Sequence, residues 1–258
     1  MTARVMGLIL ATGALLTAPL RAQESSVAQA VRRVNTGTLR LEFKARAGVC
    51  GSGQSMSFNS GEQSRRHNGE RESECEPGPV RVALDVSNDA PIAVRFYVGG
   101  RWGAAGDATE VGTVSASDAG TYFIHLAENG NGKVARDAVT ISTLADSSNV
   151  APALLRIAKD VNRDREARRN AVLWLGQATS DATAALNGLA DDETGDVEVR
   201  KQAVFALSQR PNGEGVSALL TIARGKLDPR IRRQAIFWLG QSGDPRAVSY
   251  FEEVLTKP

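Results

Sequence analysis

A 14-residue segment recurs twice along the chain, and its regular spacing constrains the fold more than any other feature. The copies are DREARRNAVLWLGQ (164–177), DVEVRKQAVFALSQ (196–209) and DPRIRRQAIFWLGQ (228–241), and successive copies begin 32 residues apart. All three keep an aspartate, an arginine, an alanine, a leucine and a glutamine at the same positions, without a gap. A period of this length indicates one supersecondary unit stacked on copies of itself, because a single unit cannot bury its apolar face alone.

Each unit is predicted to be a pair of helices. Apolar residues recur within the repeated segment at the spacing of one helical face, and its aspartate is placed to cap the helix. Asp228-Pro229 is a strong start signal, since proline is favoured at the first helical position. Shorter apolar helices are predicted between the segments, over 150–160, 181–190, 214–224 and 245–255.

A degenerate unit precedes these copies. Residues 124–127 align with residues 155–158 at an offset of 31. Ser115, with Asp118 three residues later, resembles a capping box in which Asp replaces Glu. The first unit of a repeat array is expected to be atypical, because one of its faces meets something other than a repeat. We therefore expect repeats over 115–258, with 115–149 as the degenerate first repeat.

The repeated pattern resembles HEAT-like repeats of the PBS-lyase type. The pattern is Asp, a hydrophobic position, Arg, two residues, Ala, and later Leu-Gly, and it is clearest over 164–241. This resemblance implies a right-handed α/α solenoid that serves mainly as a protein-interaction scaffold, although some members of the class are bilin lyases. The whole chain also resembles secreted bacterial HEAT-repeat proteins without an assigned activity. The resemblance carries no catalytic residue over to this sequence.

The first 23 residues have the pattern of a secretory signal peptide. Arg4 precedes an apolar stretch over 5–17, Pro19 follows, and Ala22 is a small residue before a plausible cleavage site. The segment holds two arginines and no acid, so its removal changes the net charge from +2 to zero, with 29 basic and 29 acidic residues. We expect a periplasmic or extracellular protein, with no nucleic-acid partner and no membrane insertion after cleavage. Residues 24–35 are expected to be a linker.

Residues 36–114 alternate apolar and polar side chains and predict a small β domain. The predicted fold class is therefore α+β with several domains, a small N-terminal β domain followed by the helical solenoid. Cys50 and Cys75 bracket a polar loop, and in an oxidising compartment they are expected to form a disulfide. The alternative is a metal site that also uses His67, but one His and two Cys without paired spacing fit a zinc site poorly. No metal is expected.

The recurring charged residues are expected to join neighbouring units. On the second helix of each pair, the arginine borders the packed face formed by the alanine and the leucine. An aspartate recurs with the arginine in every unit, so an arginine–aspartate ladder is predicted; the alternative is an anion site. The ladder residues are Asp164, Arg168, Asp196, Arg200, Asp228 and Arg232. Trp174 and Trp238 are predicted to pack against adjacent units.

The opposite arc of the same helices is the predicted binding surface. In a solenoid this arc usually lines the concave face. An apolar column flanked by cations and amides is typical of a protein-binding stripe; the alternative is that solenoid curvature or the β domain covers it. The stripe consists of Arg169, Leu173, Gln177, Lys201, Phe205, Gln209, Arg233, Phe237 and Gln241.

The sequence carries no recognisable catalytic, nucleotide-binding or zinc-protease motif. We therefore expect an exported, non-enzymatic scaffold without a cofactor, which binds a protein or an extended peptide. Two alternatives remain at this point. One is a bilin-lyase-like enzyme, which the repeat class suggests. The other is ligand binding by the N-terminal β domain, with the helices as a support.

Overall fold

A computed structural model describes residues 25–53, 56–58, 78–146, 149–178 and 182–256. The proposed signal peptide, His67 and Cys75 lie outside these ranges. The strands are β1 Gly37–Phe43, β2 Val49–Gly51, β3 Met56–Phe58, β4 Val80–Ser87, β5 Ala90–Val98 and β6 Thr109–Thr113. The helices are α1 Ser26–Val34, α2 Ala116–Asn129, α3 Gly132–Leu144, α4 Ala151–Lys159, α5 Arg165–Ala178, α6 Ala182–Asp191, α7 Val197–Ser208, α8 Val216–Arg224, α9 Pro229–Gln241 and α10 Pro245–Thr256.

Four strands form a mixed sheet in the order β5-β4-β1-β6. Strands β4 and β5 form a hairpin, and its turn residues Asn88 and Asp89 have the positive φ angles of 51° and 61° that a tight hairpin turn requires. Strand β1 pairs antiparallel with β4 and parallel with β6. The apolar residues of β1 and β4 point to one face and are almost fully buried, as the alternating sequence predicts.

The expectation of a linker over 24–35 is wrong, because residues 26–34 form α1. Ser25 caps the helix by accepting a hydrogen bond from the Ala28 N–H. Val27, Ala30 and Val31 follow helical spacing and are buried against the sheet and α2. Burial of this apolar stripe is what holds so short a helix, since isolated helices of this length are marginal in water.

The sheet and the first helices share one hydrophobic core. The apolar side of the sheet packs on α1, α2 and α3, and the ring centroids of Phe43 and Phe123 lie 6.5 Å apart. At the border, the backbone N–H of Arg46 donates to the Leu144 carbonyl at 2.8 Å, and Ala45 and Ala145 form an isolated β-bridge. Helices α2 and α3 are therefore the layer on which the sheet packs.

The remaining helices pack in pairs, α4–α5, α6–α7 and α8–α9, with α10 packed on α8 and α9. Helices α3, α5, α7 and α9 contact one another in succession and form one layer; the first helices of the pairs form the other. The predicted aspartate caps are present: Asp164, Asp196 and Asp228 each accept a hydrogen bond from a backbone N–H in the first turn. In the described part of the chain, no helix has the length and hydropathy needed to cross a membrane.

Candidate protein-interaction surface on the repeat helices

Small residues recur at the same position of each repeat and set how closely the repeat helices approach one another. Ala171, Ala203 and Ala235 are fully buried, and the leucine four residues after each is at most 2% exposed. Alanine at the contact lets neighbouring helices pack closely because no side chain extends beyond the Cβ. This packed face fixes the rotation of α5, α7 and α9 and thereby directs the opposite arc outward.

One step of the predicted arginine–aspartate ladder is present. Arg168, which is 8% exposed, places its Nη2 3.4 Å from Asp196 Oδ2 of the next unit, and Arg165 Nε lies 3.0 Å from the same oxygen. Burial acts to raise the pKa of Asp196, but hydrogen bonds from the Glu198 N–H and the Arg165 side chain outweigh it and hold the pKa below its usual range. The pair therefore ties α5 to the start of α7.

At the following unit the predicted ladder is wrong, because Arg200 and Asp228 do not form an ion pair. Arg200 donates from Nε to the Ala190 carbonyl at 3.0 Å, while Asp228 pairs with Arg230 at 2.6 Å. Arg230 lies two residues from Asp228 and competes for its carboxylate at short range. Arg232 makes no ion pair within the described ranges, and its Nε is buried without a hydrogen-bond partner. At the other end, Asp164 lies 3.8 Å from Arg136 Nη1 of α3.

The predicted stripe lies at the surface of α5, α7 and α9. Its apolar column becomes more accessible along the chain: Leu173 and Phe205 are half-buried, and Phe237 is 54% exposed. The three glutamines, Gln177, Gln209 and Gln241, are all exposed. Neither the sheet nor the curvature of the helix layers therefore covers the stripe at Phe237 in the described structure.

Trp238 adds to this column in a way that the sequence did not indicate. Its ring centroid lies 5.1 Å from that of Phe205 and 5.0 Å from that of Phe237, so it bridges the two rings. Trp174 is 6% exposed and donates from Nε1 to Thr140 Oγ1 at 3.1 Å, which agrees with the predicted packing role. Phe205, Phe237 and Trp238 form a three-ring cluster, which we name the aromatic cluster.

A family model of HEAT repeats matches residues 192–258. The match covers α7 to α10 and therefore includes the aromatic cluster. No curated protein matches the chain. The C-terminal helices are thus HEAT-like repeats, a class that commonly binds other proteins.

The cations of the stripe are neutralised in α5 and α7 but not in α9 within the described structure. Arg169 Nη1 lies 3.1 Å from Glu166 Oε1, and Lys201 Nζ lies 2.9 Å from Glu198 Oε1, three residues earlier in each case. In α9 the corresponding position is occupied by Arg230, which pairs with Asp228, the N-cap residue of the same helix. Arg233 consequently has no carboxylate partner in the described structure, and the surface beside the aromatic cluster carries an unneutralised positive charge.

The predicted Cys50–Cys75 disulfide falls partly outside the described residues, because Cys75 is not among them. Cys50 is 5% exposed and lies on β2, next to the four-stranded sheet. The disulfide remains a prediction. Over the described ranges, no cluster of three or more His, Cys, Asp or Glu side chains is arranged to hold a metal ion.

Proposed function

We propose that this protein is an exported, non-enzymatic scaffold that binds a protein or an extended peptide on the α5–α7–α9 face of its HEAT-like repeats. In this proposal the helix pairs continue as a right-handed α-solenoid, the stripe lines its concave side, and the product acts in a bacterial periplasm or outside the cell. The signal-peptide pattern over 1–23 supports export. The Cys50–Cys75 disulfide, which an oxidising compartment permits, belongs to the same proposal.

The observation that carries the proposal is the exposed end of the stripe. Phe237 is 54% exposed although its ring lies against Trp238, and water-accessible aromatic surface of this kind is enriched at protein interfaces. Arg233 lies one helical turn before Phe237 and has no carboxylate within the described residues. A partner that covers the aromatic cluster would gain further by presenting an acidic side chain to Arg233.

Quantitative capture tests this surface. The mature protein is immobilised, incubated with the envelope fraction of its own source cells, crosslinked, and compared by mass spectrometry with two variants. Phe205→Ala combined with Phe237→Ala should reduce recovery of the specific partner by about tenfold or more, the effect of losing a central aromatic anchor. Val161→Ala is the matched control, because Val161 is 74% exposed but lies in the turn before α5. Equal recovery with the double variant and the control would refute the surface.

A second variant isolates the charge. Arg230→Glu places an acid three residues before Arg233, as Glu166 and Glu198 already stand before Arg169 and Lys201. The new carboxylate should pair with Arg233 and weaken capture of an acidic partner without exposing or removing an aromatic ring. Unchanged capture would show that Arg233 takes no part in binding.

Export has its own test. Expression of the full chain in the source organism, followed by mass determination of the product, should yield a species lacking about the first 22 or 23 residues. Recovery of the uncleaved chain in the cytosol would refute export while leaving the interaction surface untouched.

A further inference from the structure

The polar face of the sheet carries a cavity of about 890 Å³, on the side opposite the hydrophobic core. This volume falls in the range of pockets that hold small molecules. Its floor is the outer face of β1, β4 and β5, and its wall is the segment between β5 and β6. The side chains that matter for the argument are Arg40, Arg81, Arg95, Tyr97, Arg101 and Trp102.

Strand register brings these groups together. Arg40, Ala83 and Arg95 stand opposite one another across three strands, which places a small residue between two guanidinium groups. Arg81 and Tyr97 form the neighbouring row on the same face. Ala83 is only 5% exposed although it lies on the outer face, so the larger side chains around it enclose the centre of the floor.

Arg40 joins the floor to the wall. It is 6% exposed, and its guanidinium lies 3.8 Å from the centroid of the Trp102 ring. Its Nη2 donates to the Gly103 carbonyl at 3.0 Å, and its Nη1 lies 3.2 Å from Glu110 Oε1. These contacts hold Trp102 over the sheet, where its ring meets Tyr97 edge to face at 6.0 Å. The two rings provide a flat apolar wall.

Arg81 and Arg95 are also held in place before any ligand arrives. Arg81 donates from Nη1 to the carbonyls of Gly99 and Gly100, at 2.7 and 2.5 Å. Arg95 makes a two-point contact with the Asp85 carboxylate, at 2.6 and 2.9 Å. Fixed guanidinium groups lose little side-chain entropy on binding a further acceptor, because their orientation is already set.

The arginines of the cavity differ in how their charge is balanced. Among the described residues, four arginines and one carboxylate, Asp107, line it. The carboxylates that pair with Arg40, Arg81 and Arg95 are Glu110, Glu42 and Asp85, and none of these lines the cavity. Arg101 makes no ion pair within the described ranges. The cavity therefore presents guanidinium N–H donors to its contents, and of its four arginines only Arg101 lacks an ion pair within the described ranges.

We propose that this cavity binds a small molecule with a carboxylate on a flat apolar body. The carboxylate would accept hydrogen bonds from Arg101 and its arginine neighbours, and the apolar body would lie against Tyr97 and Trp102. Guanidinium geometry matches a carboxylate, and aromatic faces accept a flat ring. The proposal is independent of protein binding by the repeats, because the cavity lies on the outer face of the sheet.

The test uses the mature full-length protein and three probes of the same shape: 2-naphthoate, neutral 2-naphthamide and cationic 2-naphthylmethylammonium. Calorimetry should show saturable binding of 2-naphthoate, about tenfold tighter than that of the amide and tighter still than that of the cation. Arg101→Gln should weaken 2-naphthoate binding by about tenfold and leave the amide unaffected. Arg101 is exposed, so this variant should keep the thermal midpoint of the wild type.

Arg156→Gln is the control, since it removes an exposed arginine from α4 that lies outside both proposed sites and should leave probe binding unchanged. Equal affinities for 2-naphthoate and 2-naphthamide would overturn the proposal, because the cavity would then select only the apolar body. Undiminished binding by the Arg101→Gln variant, or no saturable binding of 2-naphthoate in the millimolar range, would overturn it as well.

Discussion

The indole N–H of Trp238 is buried and has no acceptor among the described residues, which makes it a sharp probe of repeat packing. In the equivalent position of an earlier unit, Trp174 donates to the hydroxyl of Thr140, which lies 34 residues before it. The residue 34 positions before Trp238 is Val204, which is fully buried and offers no acceptor. Val204→Thr should therefore supply the missing hydrogen bond.

The magnitude follows from two opposing effects. Burying a threonine hydroxyl without a partner costs about 1–3 kcal/mol, although in a helix the hydroxyl can donate to a carbonyl of the preceding turn. Satisfying a buried donor recovers about 1–3 kcal/mol. The two effects nearly cancel, so Val204→Thr is expected to leave the free energy of unfolding within about 1 kcal/mol of the wild-type value.

Val172→Thr is the matched control. Val172 is also fully buried on the second helix of its unit, but the residue 34 positions after it is Ala206, which has no side-chain donor. Val172→Thr buries a hydroxyl group without satisfying an indole N–H, so it should be less stable than Val204→Thr by about 1 kcal/mol or more. Urea unfolding of both proteins measures the difference, and the Trp238 indole proton should exchange more slowly in Val204→Thr. Equal destabilisation by the two substitutions would refute the reasoning.

Three further outcomes are expected. Gly215→Ala should lower the free energy of unfolding by about 3 kcal/mol, because a Cβ there would lie 1.9 Å from the Leu207 carbonyl oxygen of α7. Gly188→Ala is the control and should be neutral or stabilising, because no atom lies within 4 Å of the added Cβ. Thermal unfolding compares the two variants. Reduction of a Cys50–Cys75 disulfide by an added dithiol should lower the free energy of unfolding by about 3–4 kcal/mol, and mass spectrometry should show the gain of two hydrogen atoms. The pKa of the Asp196 carboxyl, followed by carbon-13 NMR, should lie below the value of about 3.9 for an unperturbed aspartate. Because the folded-state pKa is lowered, Asp196 stabilises the fold above the unfolded-state pKa, and this contribution is lost as the pH falls through the folded-state pKa.

Local signals predicted the helical part of the fold well. The repeated segments begin at their aspartate caps and coincide with α5, α7 and α9 to within a residue or two, because capping and helical spacing depend on neighbouring residues alone. Helix α1 was missed although Val27, Ala30 and Val31 already have helical spacing. Its stability depends on burial against the sheet and α2, and those contacts are not visible in a segment of this length.

The candidate sites were predicted less completely, since they depend on which groups compete for one partner. Periodicity identified Arg200 and Asp228 as recurring residues but could not show that Arg230 would take the carboxylate of Asp228. The cavity on the sheet was also missed. The alternation along β1 places Arg40 on the polar face, yet only the cross-strand register brings it into line with Arg95.

The departures from the repeat concentrate at α9, and this distribution bears on function. Units in a repeat array contact only their neighbours, so a position that serves packing alone is under the same demands in each internal unit. Among the described helices, α9 has a neighbour of its own layer on one side only, which leaves its other side open. The buried alanines and leucines satisfy that expectation, because they recur unchanged in α5, α7 and α9. In α9, by contrast, Arg230 has the opposite charge to Glu166 and Glu198, Arg233 has no ion pair among the described residues, and the Phe237 ring is exposed. Packing within the array requires none of these three features, and together they give α9 the surface best suited to meet a partner.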